Sequence, residues 1–111
     1  MDAKERARKM ARLNDLMRCT GIGGRVMITQ GVDAKGMEFV AKAVAAVRAY
    51  DSFSAENDPY HEHDFGAFKI SDQKLFWKID CYDKDCRDGS PDPCDPAITT
   101  RILTIMLVEE Y

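Results

Sequence analysis

"ITTRILTIMLVEEY", residues 98–111, is the stretch whose reading decides the fold. Asp95 and Pro96 stand just before it and have the chemistry of a helix cap and first helical position. The run itself, however, is dominated by Ile, Thr and Val, whose branched side chains suit a pleated, half-buried surface better than a helix. It is therefore read as a long central strand, with a helix as the competing reading. A central strand needs partners on both sides, and the chain upstream supplies them. "FGAFKI" (65–70) and "LFWKIDCY" (75–82) flank the polar "SDQK", which predicts a hairpin with a four-residue connection. Leu75, Trp77, Ile79 and Cys81 alternate onto one face and make the better core, while Phe76, Lys78, Asp80 and Tyr82 take the other. "RVMITQGV" lies between glycines and predicts a further strand at Arg25–Gln30.

Two helical patterns complete the chain. From Asp2 to Arg18, the residues Ala3, Ala7, Met10, Leu13 and Met17 recur at three- and four-residue spacing, as an amphipathic helix requires. Its basic residues Lys4, Arg6, Arg8, Lys9 and Arg12 oppose the helix dipole near the N-terminus, so its start is expected to fray. Gly21, Gly23 and Gly24 suit the end of that helix. Asp33 looks like the N-cap of a second helix over "AKGMEFVAKAVAAVRAY", with Met37, Val40, Ala41, Val44 and Val47 as its buried stripe and Gly36 weakening its first turn. The expectation is a single α+β domain over residues 1–111, two helices on a four-stranded, mainly antiparallel sheet in the order α-β-α-β-β-β.

Composition sets further bounds. No apolar run approaches the roughly 18 residues needed to span a bilayer, and "MDAKERARKM" lacks the apolar core of a signal peptide. Both point to a cytoplasmic protein without a membrane partner. In that setting Cys19, Cys81, Cys86 and Cys94 are read as thiols. The spacing C-x4-C-x7-C has no C-x2-C knuckle, so zinc would need an irregular site completed by His61 or His63. The net charge of −3 hides an asymmetry. Residues 1–18 carry six Lys or Arg against three acids, whereas residues 51–95 carry twelve acids against five bases, or −7. Such an acidic surface repels nucleic acid, attracts basic partners and imitates a phosphate backbone, although it also serves solubility alone.

"NDPYHEHDFG", residues 57–66, is the densest polar stretch. His63, Asp64 and Asp80 have the ligand chemistry of a divalent-metal hydrolase or nuclease, with Glu62 as a further candidate. An extended H-x-H would turn His61 and His63 to the same side. The competing reading is a tied loop, in which Asp58 and Pro59 start a turn, Asn57 and Asp64 satisfy backbone groups, and Tyr60 and Phe65 anchor the ends in the core. Asp58 with Asp72-Gln73-Lys74 offers a second nuclease arrangement, weakened by its place in a predicted turn. "DKDCRDG" fails as a calcium loop, with Arg87 at its fifth position and Cys94 where the closing glutamate belongs. A cysteine nucleophile would need an activating neighbour such as His63 beside Cys81.

Taken together, "NDPYHEHDFG", "FWKIDCYD", "SPDPCDP" and "TTRILTIMLVEEY" resemble a small family of alphaproteobacterial proteins classed as a domain of unknown function. Its pattern reads N-D-P-x-x-E-H-D-F-G, K-I-D-x-Y-D and S-P-D-P-x-D-P, followed by T-x-R-x-L-T-I-M. Asn57, Asp58, Glu62, His63, Asp64, Lys78, Asp80, Asp83, Asp92, Asp95 and Arg101 match it, while His61, Cys81, Cys86 and Cys94 fall outside it. Such proteins are similar to others carried on plasmids and phages near genes implicated in antirestriction, which by analogy implies a part in evading host defence. The resulting expectation is a non-enzymatic inhibitor that needs no cofactor and binds a basic protein surface, such as that of a CRISPR or restriction complex. Its binding residues would be Asp58, Glu62, Asp64, Asp80, Asp83, Asp85, Asp88 and Asp92. A third reading is a structural homodimer paired through the last strand or the first helix.

Overall fold

A computed structural model describes residues 1–111, and strand β4 (Thr100–Leu107) lies at the middle of its sheet. The order is β1-β4-β3-β2, with β1 at Gly24–Ile28, β2 at Phe65–Ile70 and β3 at Gln73–Tyr82. β1 runs parallel to β4, and the other two pairings are antiparallel. The strand reading of the last segment therefore holds, and its alternation shows why. Arg101, Leu103, Ile105 and Leu107 are all buried on one face, where Ile105 pairs with Trp77 and Leu103 with Ile79. Helical periodicity would have scattered these side chains around a circumference.

That face carries the helices. Leu75, Trp77 and Ile79 of β3 join Leu103, Ile105 and Leu107, and the layer above contributes Met17 of α1 (Ala3–Thr20), Val32 of α2 (Gln30–Asp33), and Ala43 and Val47 of α3 (Met37–Arg48). The domain is thus α+β, with three helices over one face of a mixed four-stranded sheet. Trp77 is fully buried at the centre, and its indole determines the residue opposite. Gly66 pairs with Trp77, and any Cβ at Gly66 would overlap both the indole nitrogen and the Tyr50 ring. That nitrogen has no hydrogen-bond acceptor.

Several local expectations need correction. The predicted second helix starts late, at Met37, because Gly36 stands at φ +101° as its N-cap; Asp33 instead closes α2, a short helix not expected from the sequence. Of the expected stripe, Val40, Val44 and Val47 pack on the core together with Phe39 and Ala43, while Met37 is 90% exposed and Ala41 is exposed as well. β1 ends at Ile28, with Gln30 already in α2. The hairpin connection is two residues, Ser71 and Asp72, since Ile70 pairs with Gln73; Ser71 takes φ +54°, the sign that tight hairpin turns require. The start of α1 is capped, because the Asp2 side chain accepts the Glu5 N–H at 2.8 Å.

The chain closes with a 3-10 turn at Val108–Glu110. The Glu110 carboxylate accepts hydrogen bonds from the Thr29 hydroxyl and from the backbone N–H groups of Leu107 and Gly31. These donors hold its carboxyl below the usual range, with the Thr29 hydroxyl contributing most.

Candidate functional site

The loop between α3 and β2 is built from its own polar side chains. Asn57 accepts the Ser54 N–H and donates to the Ser52 carbonyl. Asp58 is only 5% exposed, and its carboxylate accepts the N–H groups of Glu62 and His63, each at 3.2 Å. The Asp58 side chain thereby ties the loop to its own backbone four and five residues on. Tyr60 points outward, 76% exposed, contrary to the anchor expected of it. Phe65 packs on Phe76 and Tyr111. The backbone carbonyl of Asp64 accepts the Ile79 N–H and so continues the β2–β3 ladder by one residue.

His61 and His63 both adopt left-handed backbone, φ +58° and +56°, so the extended H-x-H reading fails. His61 is exposed. His63 stacks on Phe53, lies with Nδ1 3.0 Å from Asp15 and has Nε2 3.6 Å from Asp58. Both ring nitrogens thus face carboxylates of Asp15 and Asp58, not Asp64 or Asp80. No three His, Cys, Asp or Glu side chains are arranged to hold a metal ion. The Asp72-Gln73-Lys74 element is also remote from Asp58, since it begins at the opposite end of six-residue β2, roughly 20 Å away at the usual strand rise.

The buried polar centre includes residues that sequence reasoning missed. Asn14, 0% exposed, donates to the Glu62 carbonyl and accepts from Arg101 Nε at 2.7 Å. Arg101 is 2% exposed and also donates to the Pro93 carbonyl. Arg18 pairs with Asp15 at 2.7 Å, donates to the carbonyls of Val47 and Tyr50, and lies over the rings of Phe53 and Trp77. Asn14 and Arg18 are four residues apart, on the same helical face as Met10 and Met17. That polar pair inside an apolar stripe was the available signal.

Above this centre the acids gather where β3 ends. Burial raises the carboxyl pKa of Glu62, and the charges of Asp64 and Asp58 add to the rise. Burial likewise raises Asp64, with Asp58 and Asp80 contributing. Asp80 pairs with Lys78 at 2.9 Å. The following segment is folded tightly back: Asp83 accepts the Arg87 N–H, Tyr82 bridges Gly89, and the Ser90 N–H returns to the Cys81 carbonyl. Asp85 and Asp88 are exposed on this loop. Asp92 accepts the Cys94 N–H and pairs with Arg6 at 3.2 Å, and both hold its carboxyl below the usual range. Seven of the eight acids assigned to binding thus lie at or near the surface, and Asp58 is committed to the loop's interior. A groove of about 350 Å³ opens beside Glu62, between Ala3, Arg6, Ala7 and Met10 of α1 on one side and Tyr60 and Pro93 on the other.

The cysteines are separate and all free. Cys86 lies 3.0 Å from Arg25, and Cys94 is buried against the Arg6 carbonyl. Burial pushes the Cys81 thiol up, more than Arg101 offsets, which is the wrong direction for a nucleophile.

The family model for a protein of unknown function, DUF3768, matches residues 28–110, three quarters of the chain. The chain belongs to the DUF3768 family. No curated protein and no solved structure matches it. The DUF3768 match takes in the loop, the acids and Arg101, while α1, which supplies Asn14, Asp15 and Arg18, precedes it. No helix is long and apolar enough to cross a membrane.

Proposed function

We propose that this domain is a non-enzymatic binding module that inhibits a nucleic-acid-targeting defence complex by presenting carboxylates to a basic surface. The observation that carries the proposal is the crowding of Glu62 and Asp64. Each is half-buried, and each has its pKa raised by burial and by neighbouring acids. Clustered like charges destabilise a fold, and such costs concentrate at functional sites. An incoming guanidinium or ammonium group would relieve this one.

The groove beside Glu62 suits such a group. Ala3, Ala7, Met10 and Pro93 offer apolar walls for the methylene stem of a lysine or arginine, and Glu62 lines it for the charged head, beside an Arg6 that is paired with Asp92. Exposed Asp85 and Asp88 extend the negative field and steer a cationic partner toward the site. The choice of a CRISPR or restriction complex as that partner rests on the sequence resemblance to proteins of plasmids and phages. The physical basis is general: channels lined with Lys and Arg for phosphate accept carboxylates in the same positions.

The test is capture of such a complex from a bacterial lysate by wild type and by a variant carrying Asp83→Asn, Asp85→Asn and Asp88→Asn. Recovery of a basic nucleoprotein complex that weakens with salt and is lost in the variant supports the reading. Equal recovery by the two proteins ends it.

A further inference from the structure

β4 cannot pair across a dimer axis, because β1 and β3 occupy both of its edges. The free edge that matters is β1. The Gly23 carbonyl accepts the Arg101 N–H at 3.0 Å, and the Thr29 N–H donates to the Ile105 carbonyl at 3.2 Å. In a parallel ladder the bonded residues of a strand alternate. Arg25 and Met27 therefore complete the set facing β4, and the backbone groups of Gly24, Val26 and Ile28 face outward. Apolar side chains collect along the same edge: Ile22 is 60% exposed, Val26 43% and Met27 53%.

Natural sheets guard such an edge with charge, proline, a bulge or a covering element. The opposite edge, β2, carries exposed Lys69. β1 has only Arg25, and its guanidinium is drawn away to Cys86 Sγ at 3.0 Å. The edge is also self-complementary. Antiparallel pairing of two copies about a two-fold axis at Val26 sets Val26 beside Val26, Gly24 beside Ile28 and Arg25 beside Met27. No like charges meet, and about six outward backbone groups on each copy find partners.

We infer that β1 is a dimerisation edge, which pairs antiparallel with β1 of a second copy to form a continuous eight-stranded sheet. The contact is short, so the dimer is concentration-dependent. Arg25 of this strand touches Cys86 of the acidic connection, but none of the acids assigned to binding is among the paired residues, and the test does not involve a basic partner.

Sedimentation across about three decades of concentration, up to near-millimolar, reads the dimer directly. Wild type is expected to shift from monomer to twice the monomer mass. Val26→Pro removes an N–H that β4 does not use, and Val26→Lys installs an edge charge; each is expected to weaken the dimer by about tenfold or more. Far-UV circular dichroism confirms the fold, and Val26→Lys keeps the test open if the proline variant does not fold. Hydrogen exchange on the wild-type dimer is expected to show the Val26 amide protected, with loss of protection on dilution. A wild type that remains monomeric throughout, or a dimer of equal strength in the folded variants, overturns the inference.

Discussion

The imidazole of His63 lies flat on the ring of Phe53, with centroids 3.9 Å apart and planes within 2°. Asp15 meets its Nδ1 at 3.0 Å, so one side chain joins the loop, the segment after α3 and α1. His63→Ala is expected to destabilise the domain by about 2 kcal/mol, from the lost stacking and hydrogen bond together. Urea denaturation of the two proteins measures this, and a difference near zero would mean that the loop is held without it.

Gly66 faces the Trp77 indole with no room for another atom. Gly66→Ala forces the indole or Tyr50 out of place, at a cost of about 1–3 kcal/mol. The checks are the denaturation midpoint and Trp77 fluorescence, since this is the chain's single tryptophan.

Arg101 joins β4 to α1 through Asn14 and to the 83–99 connection through the Pro93 carbonyl. Arg101→Met fills similar space but leaves the Asn14 oxygen without this donor, and the expected loss is about 2–4 kcal/mol. Thermal unfolding compared with wild type reads it. Asn14→Leu in addition to Arg101→Met should recover part of the loss, because both polar groups then leave the buried site together.

These positions show what the sequence disclosed. The strands were legible because β3 and β4 between them are rich in β-branched and aromatic residues, and their buried positions recur at every second residue over much of each strand. Asp33 misled because a residue type that suits an N-cap stands before a run of helix formers, yet it ends α2, and α3 starts only after Gly36 with its positive φ. Tyr60 and the H-x-H motif misled for a related reason: the loop's course is set by Asp58 bonding to backbone N–H groups, and that places His61 and His63 in left-handed conformations no periodicity encodes. The acids were visible as a charge run, but their separation into an inward Asp58, the paired Asp80 and Asp92, and the crowded Glu62 and Asp64 depends on contacts between distant segments. Asn14, Asp15 and Arg18 belong to no motif, and only the place of Asn14 and Arg18 beside Met10 and Met17 marks them in the sequence.

Asp64 also sets a pH dependence. Its folded-state carboxyl pKa is raised by burial and nearby acids, so the fold favours the protonated form. The associated stability is complete below the ordinary Asp value of about 3.9 and is lost as pH rises through the folded value. Asp64→Asn, permanently neutral, is expected to be more stable than wild type at pH 7 and to lose that advantage in acid. Thermal midpoints across pH 3–8 give the sign.

The same variant tests the central claim most directly when its stability and its capture of a basic nucleoprotein complex are measured on one preparation at pH 7. If Glu62 and Asp64 are crowded because they receive a partner's cations, Asp64→Asn melts at a higher temperature and recovers less of the complex. A variant that is stabilised yet captures as much as wild type contradicts the account.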